Sequence, residues 1–308
     1  MPDGSIAILG VFVADTSYRA ERQPRMGETI LGKSFVLGPG GKGSNQSVAA
    51  AKAGGDVTFI SRTGDDAFAD IAMETWTAAG VKAAVERDPS SYTGAAYIFV
   101  EDASGDNAII ISPGAGATIA PADIDRNAGA ISSASVFITQ LEQPIDAAHH
   151  ALAIARAGGA QTILNPAPAA PVDDAMLALC SYVTPNETEA EAITGKPVET
   201  IDQARAAAEI FLQKGVGTAV ITLGERGALI HGNGVSEHVP PFNAGPVVET
   251  TGAGDAFNGG FAVALAENRS PVEAVRFGCA TAAISVTRQG TAPSMPSRDE
   301  IDALLAGS

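Results

Sequence analysis

Asp255 closes the run Thr251-Gly252-Ala253-Gly254-Asp255, which opens a long apolar stretch from Phe257 to Glu267. At a helix start the first peptide N–H groups have no intrahelical partner, and the helix dipole adds positive character there. Gly252 to Asp255 therefore read as an anion-binding turn fit for a phosphate. A carboxylate beside that phosphate could accept a proton from an attacking hydroxyl. The same residue is equally at home as a helix N-cap, and the motif alone leaves both readings open.

Three further clusters have residue types suited to chemistry. Gly38-Pro39-Gly40-Gly41-Lys42-Gly43-Ser44-Asn45 also leads into a helix-forming stretch. Glycines allow close backbone approach, Lys42 adds charge, and Asn45 both donates and accepts, a set suited to a hydroxyl-rich ligand. The spacing is not that of a P-loop, and a glycine turn before a helix is also a common structural device. Thr184-Pro185-Asn186-Glu187-Thr188-Glu189 follows a strand-like segment. Asn186 and Glu189 could organise water around Mg2+, or serve as the first turn of a capped helix. Thr222-Leu223-Gly224-Glu225-Arg226-Gly227 is a glycine turn that could cover a nucleotide. Cys180 and Cys279 form no Cys-x-x-Cys pair and read as small buried hydrophobes rather than zinc or redox groups.

The elements that must position these clusters alternate. Short apolar runs at Ile6–Val13, Val57–Ser61, Val136–Thr139, Thr162–Leu164, Tyr182–Thr184 and Ala219–Leu223 predict buried strands. Helix-forming stretches separate them: Ser44–Gly54, Ala67–Ala79, Ala147–Ala157, Thr188–Thr194, Asp202–Lys214, Phe257–Glu267 and Pro271–Thr287. This rhythm predicts an α/β fold with a mostly parallel sheet covered on both faces. Two regions break it. Thr16 to Leu37 is polar and turn-rich, and Tyr92 to Ile111 reads as a hairpin, Gly94–Glu101 and Asn107–Ile111 around Asp102–Asp106. Surface decoration is one reading of these pieces; a small sheet serving as a lid is the one preferred.

Composition bounds the function. The 308 residues carry 19 Lys plus Arg against 35 Asp plus Glu, a formal net charge of −16. Nucleic-acid binding needs a basic stripe, and an anionic membrane would repel such a chain. Local N–H groups can still bind a nucleotide's phosphates against that field. Met1 to Ser5 lack the basic stretch of a signal peptide, and no apolar run approaches ~18 residues, so a cytoplasmic location is expected.

In this order, the four motifs resemble the ribokinase-like (PfkB) carbohydrate kinases from Ile6 to about Leu304. Gly27-Glu28-Thr29, Gln140-Leu141-Glu142, Asn165-Pro166-Ala167-Pro168 and Val286-Thr287-Arg288-Gln289-Gly290 add to the match. The resemblance implies a single domain over 1–308, a Rossmann-type three-layer sandwich with a small β-sheet lid from about 14–37 and 92–111. It implies ATP-dependent phosphorylation of a small sugar, with D-ribose as the default substrate and another sugar, a polyol or a nucleoside as alternatives; a catalytically silent sugar or nucleotide sensor is the binding-class alternative, against which Asp255 and the intact Gly252-Ala253-Gly254 run speak. Asp15, Gly41, Lys42, Asn45 and Glu142 match sugar-binding positions. Asn186, Thr222, Gly224 and Gly227 lie on the nucleotide side, with Cys279 beside the adenine. Gly252, Ala253 and Gly254 would stabilise the transferring phosphoryl group, and Asp255 would deprotonate the hydroxyl. Glu189 would serve Mg2+, and Glu249, Thr251, Ser285, Arg288, Gly290 and Ser294 match a K+ site, several through backbone carbonyls. A homodimer joined through the lids is the implied assembly.

Two positions depart from the family pattern. Glu249 stands where ribokinases usually carry Asp, one methylene shorter. Val13-Ala14-Asp15 replaces an Asn-x-Asp motif whose two polar side chains touch the sugar, and Val13 cannot make that hydrogen bond. The expected consequence is a changed substrate, such as a deoxy, keto or differently configured sugar. Arg19, Arg22 and Arg25, nearby in sequence, could reach an acidic substrate, though surface arginines beside a lid are the plainer reading.

Overall fold

Short runs of Ile, Val, Leu and Phe cannot shield both faces of a strand unless helices cover them, and the fold answers that requirement twice. The computed structural model describes residues 4–307; part of the stretch read for a signal, Met1 to Asp3, lies outside them. The strands are β1 Ser5–Leu9, β2 Val13–Ala20, β3 Ser34–Gly40, β4 Asp56–Gly64, β5 Lys82–Asp88, β6 Thr93–Glu101, β7 Asn107–Gly114, β8 Val136–Thr139, β9 Gln161–Leu164, β10 Tyr182–Val183, β11 Thr218–Thr222, β12 Ala228–Gly232 and β13 Val235–Val239. Nine form one sheet in the order β13-β12-β11-β10-β9-β8-β1-β4-β5. It is parallel from β5 to β11 and antiparallel over β11-β12-β13.

The helices are α1 Lys42–Lys52, α2 Ala67–Ala79, α3 Pro121–Arg126, α4 Ala128–Ser133, α5 Ile145–Gly158, α6 Asp174–Leu177, α7 Glu187–Thr194, α8 Ile201–Gln213, α9 Ala253–Ala266, α10 Pro271–Ser285 and α11 Arg298–Ala306. Two buried clusters separate across the sheet. Val48, Trp76, Phe261, Phe277 and Ile301, from α1, α2, α9, α10 and α11, pack with Ile6, Ile8 and Phe59 on one face. Ile124, Ile131, Leu152, Met176, Ala190 and Phe211, from α3 to α8, pack with Leu9, Phe137 and Ile221 on the other. The result is the expected three-layer sandwich.

The second sheet has four strands in the order β3-β2-β6-β7. β2 and β6 pair in parallel, and the outer strands run antiparallel to them. The segment expected to be turn-rich thus contains most of two strands. Its pattern hid them because β3 is exposed on both faces along Ser34–Leu37, so no polar–apolar alternation develops. β7 is exposed in the same way, and Phe35, Val36, Leu37, Ile109, Ile110 and Ile111 stand open to solvent. The hairpin turn at 102–106 lies where the sequence placed it.

This small sheet is wired to the interior. β1 runs almost directly into β2, and β3 ends one residue before α1. That single residue, Gly41, has φ of 86°, and a side chain on it would strike the Val11 carbonyl. Behind it, a Cβ on Gly43 would lie 2.6 Å from the Gly10 Cα, so α1 docks backbone against backbone. Trp76 is fully buried beneath α1, donates from Nε1 to Ser44 Oγ at 2.9 Å, and meets Phe12 edge-on. No helix of the described residues is long and apolar enough to cross a membrane.

Candidate active site

Two helices carry the centre of the site. α1 and α9 cross where a Cβ on Gly259 would come 2.5 Å from the Ala49 Cβ, a contact that only glycine permits. One turn toward both N-termini, Asn45 and Gln46 of α1 therefore meet Asp255 of α9. Asn45 Nδ2 donates to Asp255 Oδ2 at 3.0 Å, and Gln46 Nε2 donates to Oδ1 at 3.0 Å.

The N-cap reading of Asp255 does not hold. The cap is Gly252, left-handed at φ 82°, and Asp255 is the third residue inside the helix with its side chain turned to α1. The anion turn also differs in one detail from its sequence reading. The Ala253 amide donates to the Thr250 carbonyl at 3.2 Å, so it is not free. The amides of Gly252, Gly254 and Asp255 make no hydrogen bond among the described residues. A Cβ on Gly254 would meet nothing within 4 Å, so that turn opens onto space.

The open space is a cleft of about 150 Å3 lined by Lys42, Asn165, Ala167, Thr184, Asn186, Glu189, Thr222, Gly252, Gly254, Asp255 and Asn258. It gathers residues from all four glycine- or Asn-containing motifs. Asn165, Thr184 and Asn258 had no assigned role in the sequence reading. Asn258 accepts from Thr184 Oγ1 at 2.6 Å and donates to the Gly254 carbonyl at 2.8 Å, bracing the anion turn against the β10 end. Asn186 and Glu189 form a reciprocal capping box at 2.8 and 2.9 Å, which meets the helix-start reading of that motif, and both also line the cleft. Gly224 and Gly227 both have positive φ, and a Cβ on Gly227 would strike the Val239 carbonyl. The Thr222 amide is held by the Pro185 carbonyl at 2.9 Å.

Charge is concentrated here. Burial pushes the Asp255 carboxyl up, against the pull of Lys42 and the Asn45 and Gln46 donors. Burial pushes Glu142 up to about 7, opposed by Lys42, whose backbone N–H also donates to Glu142 Oε2 at 2.7 Å. Burial lowers the Lys42 ammonium, but the carboxylates of Asp255, Glu142 and Glu189 together hold it above its usual value. Asp15, on β2 against Gly40, is pushed up to about 6 by burial, then by Asp255 and Glu249. Asn45 Oδ1 is buried without a partner, an acceptor that an incoming hydroxyl would satisfy.

Asp15 yields a pH-dependent expectation. Its carboxyl lies at 3.8 when free and about 6 when folded, so the folded state holds its proton more tightly. The associated stability is complete below 3.8 and is lost as pH rises through 6. Asp15→Asn cannot ionise and should melt higher than wild type at pH 8, by roughly 2–6 °C, with the difference gone below about pH 4. Calorimetric melts at the two pH values check this; a lower midpoint at pH 8 would show that the Asp15 charge is stabilising.

Two pairs of the residues matched to a cation site meet, Glu249 with Gly290 and Ser285 with Arg288. Glu249 Oε2 accepts from the Gly290 amide at 2.9 Å, which occupies one oxygen of the longer side chain. Ser294 Oγ donates to the Thr291 carbonyl at 2.7 Å, and Thr291 Oγ1 donates to the Pro39 carbonyl at 2.7 Å, tying this loop to the base of the small sheet. The Ser285 carbonyl accepts from the Arg288 amide at 3.2 Å, whereas those of Thr251 and Gly290 accept nothing among the described residues. The Arg288 guanidinium turns away to Glu300, so only its backbone could serve a cation. Cys279 is buried in α10 with its thiol pushed up to about 12 by burial, which suits a wall and not a nucleophile. Cys180 is likewise buried and unpaired. Of the arginines near the small sheet, Arg22 pairs with Glu28 and Arg19 with Asp102, as surface residues do.

A helix-start anion turn, a buried carboxylate and a lysine around one cleft, on a three-layer sandwich with a side sheet, are the parts that phosphoryl transfer calls for. The chain matches the pfkB family of carbohydrate kinases over residues 4–298 and belongs to that family. It is 38% identical over 303 residues to a deoxyribokinase of Salmonella typhimurium, covering 98% of each chain. It is 37% identical over 297 residues to a ribokinase of Haemophilus influenzae, covering 96% of each. Among solved structures it is similar to an Arabidopsis thaliana ribokinase complexed with ribose and ATP, with a TM-score of 0.92 at 30% identity over 99% of each chain. A Thermotoga maritima ribokinase matches with a TM-score of 0.88 at 37% identity, over 98% of this chain and 99% of that one.

Proposed function

We propose that this carbohydrate kinase transfers the γ-phosphoryl group of ATP to a hydroxyl of a small sugar, and that deoxyribose is a better acceptor than ribose. The observation that carries the transfer chemistry is Asp255, buried beside the free amides of Gly252 and Gly254 in one cleft. The sugar lies on the Asp15, Gly41, Lys42, Asn45 and Glu142 side. The nucleotide lies over Asn186, Thr222, Gly224 and Gly227, with Cys279 as part of its wall. Asp255 takes the hydroxyl proton, and the amides of Gly252 and Gly254 receive the charge that builds on the moving phosphoryl group.

The residues fit both cations the reaction class implies. Mg2+ keeps several waters and is bound through substrate phosphates, and Glu189 and Asn186, which line the cleft, would order its water. When bound, it would neutralise charge between the phosphates. K+ would be held by the Thr251 and Gly290 carbonyls with Glu249, Ser285, Arg288 and Ser294 around them. It would add positive charge beside the anion turn.

The preference for deoxyribose rests on Val13. It is 5% exposed, lies in an apolar cluster with Val11 and Ala96, and shares its face of β2 with Asp15. A sugar hydroxyl set against it would lose a partner, whereas a carbon without one would not. The deoxyribokinase relative supports the same reading; the ribokinase relatives favour ribose as the second. The test is kcat/KM for deoxyribose, ribose, other pentoses, hexoses, polyols and nucleosides with MgATP and K+. Deoxyribose above ribose is expected; ribose above deoxyribose would reverse the assignment.

The small sheet acts as a lid over the sugar, excluding water that would otherwise accept the phosphoryl group. Its open apolar residues are also the surface through which two copies pair, since monomers seldom leave such patches bare.

A further inference from the structure

A carboxylate that acts as a base must be held in one orientation, because a small misplacement is costly in rate. Two side chains hold Asp255. Asn45 belongs to the sugar side of the site. Gln46 does not: it is fully buried, away from the cleft lining, and carries no role in the transfer described so far.

Its surroundings define what it does. Gln46 Nε2 donates to Asp255 Oδ1 at 3.0 Å and to Asn165 Oδ1 at 3.0 Å. Gln46 Oε1 accepts from Gln140 Nε2 at 2.6 Å. Asn165 Nδ2 donates to the Thr184 carbonyl at 2.9 Å. Every amide orientation in this chain is forced from its two ends. The Thr184 carbonyl only accepts, so Asn165 must turn its nitrogen there and its oxygen to Gln46. The Asp255 carboxylate also only accepts, so Gln46 must present its nitrogen to both. Its oxygen then needs a donor, and Gln140 supplies one. Gln140 Oε1 is left without a hydrogen-bond partner and lies 2.5 Å from where a Cβ on Gly10 would stand. Burying that oxygen unpaired carries a cost, which marks the orientation of Gln140 as dictated by Gln46.

We propose that Gln46 is a positioning residue that locks the Asp255 carboxylate in its proton-accepting orientation, and that Gln140 acts through it by fixing which end of the Gln46 amide faces the carboxylate. The inference rests on the reading of Asp255 as the base. Proton flow is unchanged by it: the sugar hydroxyl gives its proton to the carboxylate, and Gln46 exchanges none. A hydrogen bond donated to a carboxylate also favours its charged form, so losing it moves the acid limb of activity to higher pH.

The test uses Gln46→Met and Gln140→Met, which keep volume and remove the amides. Gln46→Met is expected to lower kcat about 10–100-fold with the KM values for sugar and ATP within about twofold, and to shift the acid limb of the kcat–pH profile upward. Gln140→Met should show the same pattern at about 3–10-fold, and the double variant should be no slower than Gln46→Met, because the two act as one unit. An unmoved acid limb, a loss carried by KM, or effects that multiply in the double variant would overturn the proposal. Should Gln46→Met fail to fold, Gln140→Met decides by its limb alone. Asp255→Asn runs in parallel. If it is slow while both Gln variants behave as wild type, only this inference falls; if it turns over normally, the base assignment falls with it.

Discussion

Asp255→Asn should fold, bind sugar and nucleotide, and turn over at least about 100-fold more slowly than wild type, the usual scale for losing a general base. The substitution keeps the size of the side chain. It removes the only group in the cleft lining placed both at the anion turn and against the sugar-side residue Asn45. Lys42 lines the same cleft but is held charged by its carboxylate neighbours, so it cannot accept the proton in place of Asp255. The loss should fall on kcat and leave both KM values close to wild type, because the carboxylate's task arises as the proton leaves. The rate of wild type should also fall on acidification from a pH above the ordinary carboxylate range, since burial raises the Asp255 carboxyl. Sparing of kcat in Asp255→Asn would mean that another group takes the proton.

Val13→Asn should exchange the order of two substrates. An amide at this position would stand among Val11, Val13's apolar neighbours and Ala96, where burying it beside carbon costs about 1–3 kcal/mol. With deoxyribose that cost has no return, and kcat/KM should drop roughly 5–100-fold. With ribose the amide meets a hydroxyl, and kcat/KM should hold or rise. Parallel changes for both sugars would show that Val13 does not read the substrate. The comparison is internal to each protein, so a general loss of stability in the variant cannot imitate a crossover.

The legibility of this molecule in its sequence follows burial. Strands covered on both faces, such as β1 and β8, announce themselves as unbroken apolar runs. β3, open on both faces, carries no alternation and reads as part of a turn-rich segment, whereas β7, equally open, is legible through the hairpin turn before it. The motif residues were legible because glycine, lysine and carboxylates are conspicuous at helix starts. What Asp255 does there was not, because a cap and a base share a residue type. The positive φ at Gly252, which makes Gly252 the cap, separates them. The Gln46, Gln140 and Asn165 network was beyond reach of sequence spacing. Its members are 94 and 119 residues apart, and only the α1–α9 crossing and the β8 and β9 ends bring them to one point. The Ala253 amide reads as free in the sequence but is taken up by the Thr250 carbonyl, a turn that residue types do not announce.

The most direct measurement is sugar-dependent release of ADP from MgATP by wild type and Asp255→Asn at saturating sugar and nucleotide, with binding of each ligand to both proteins measured separately by calorimetry. The account predicts ADP release in wild type that requires the sugar, an Asp255→Asn rate lower by at least about 100-fold, and affinities for both ligands that are nearly unchanged. Comparable rates in the two proteins, or loss of sugar binding in the variant in proportion to its rate, would contradict it.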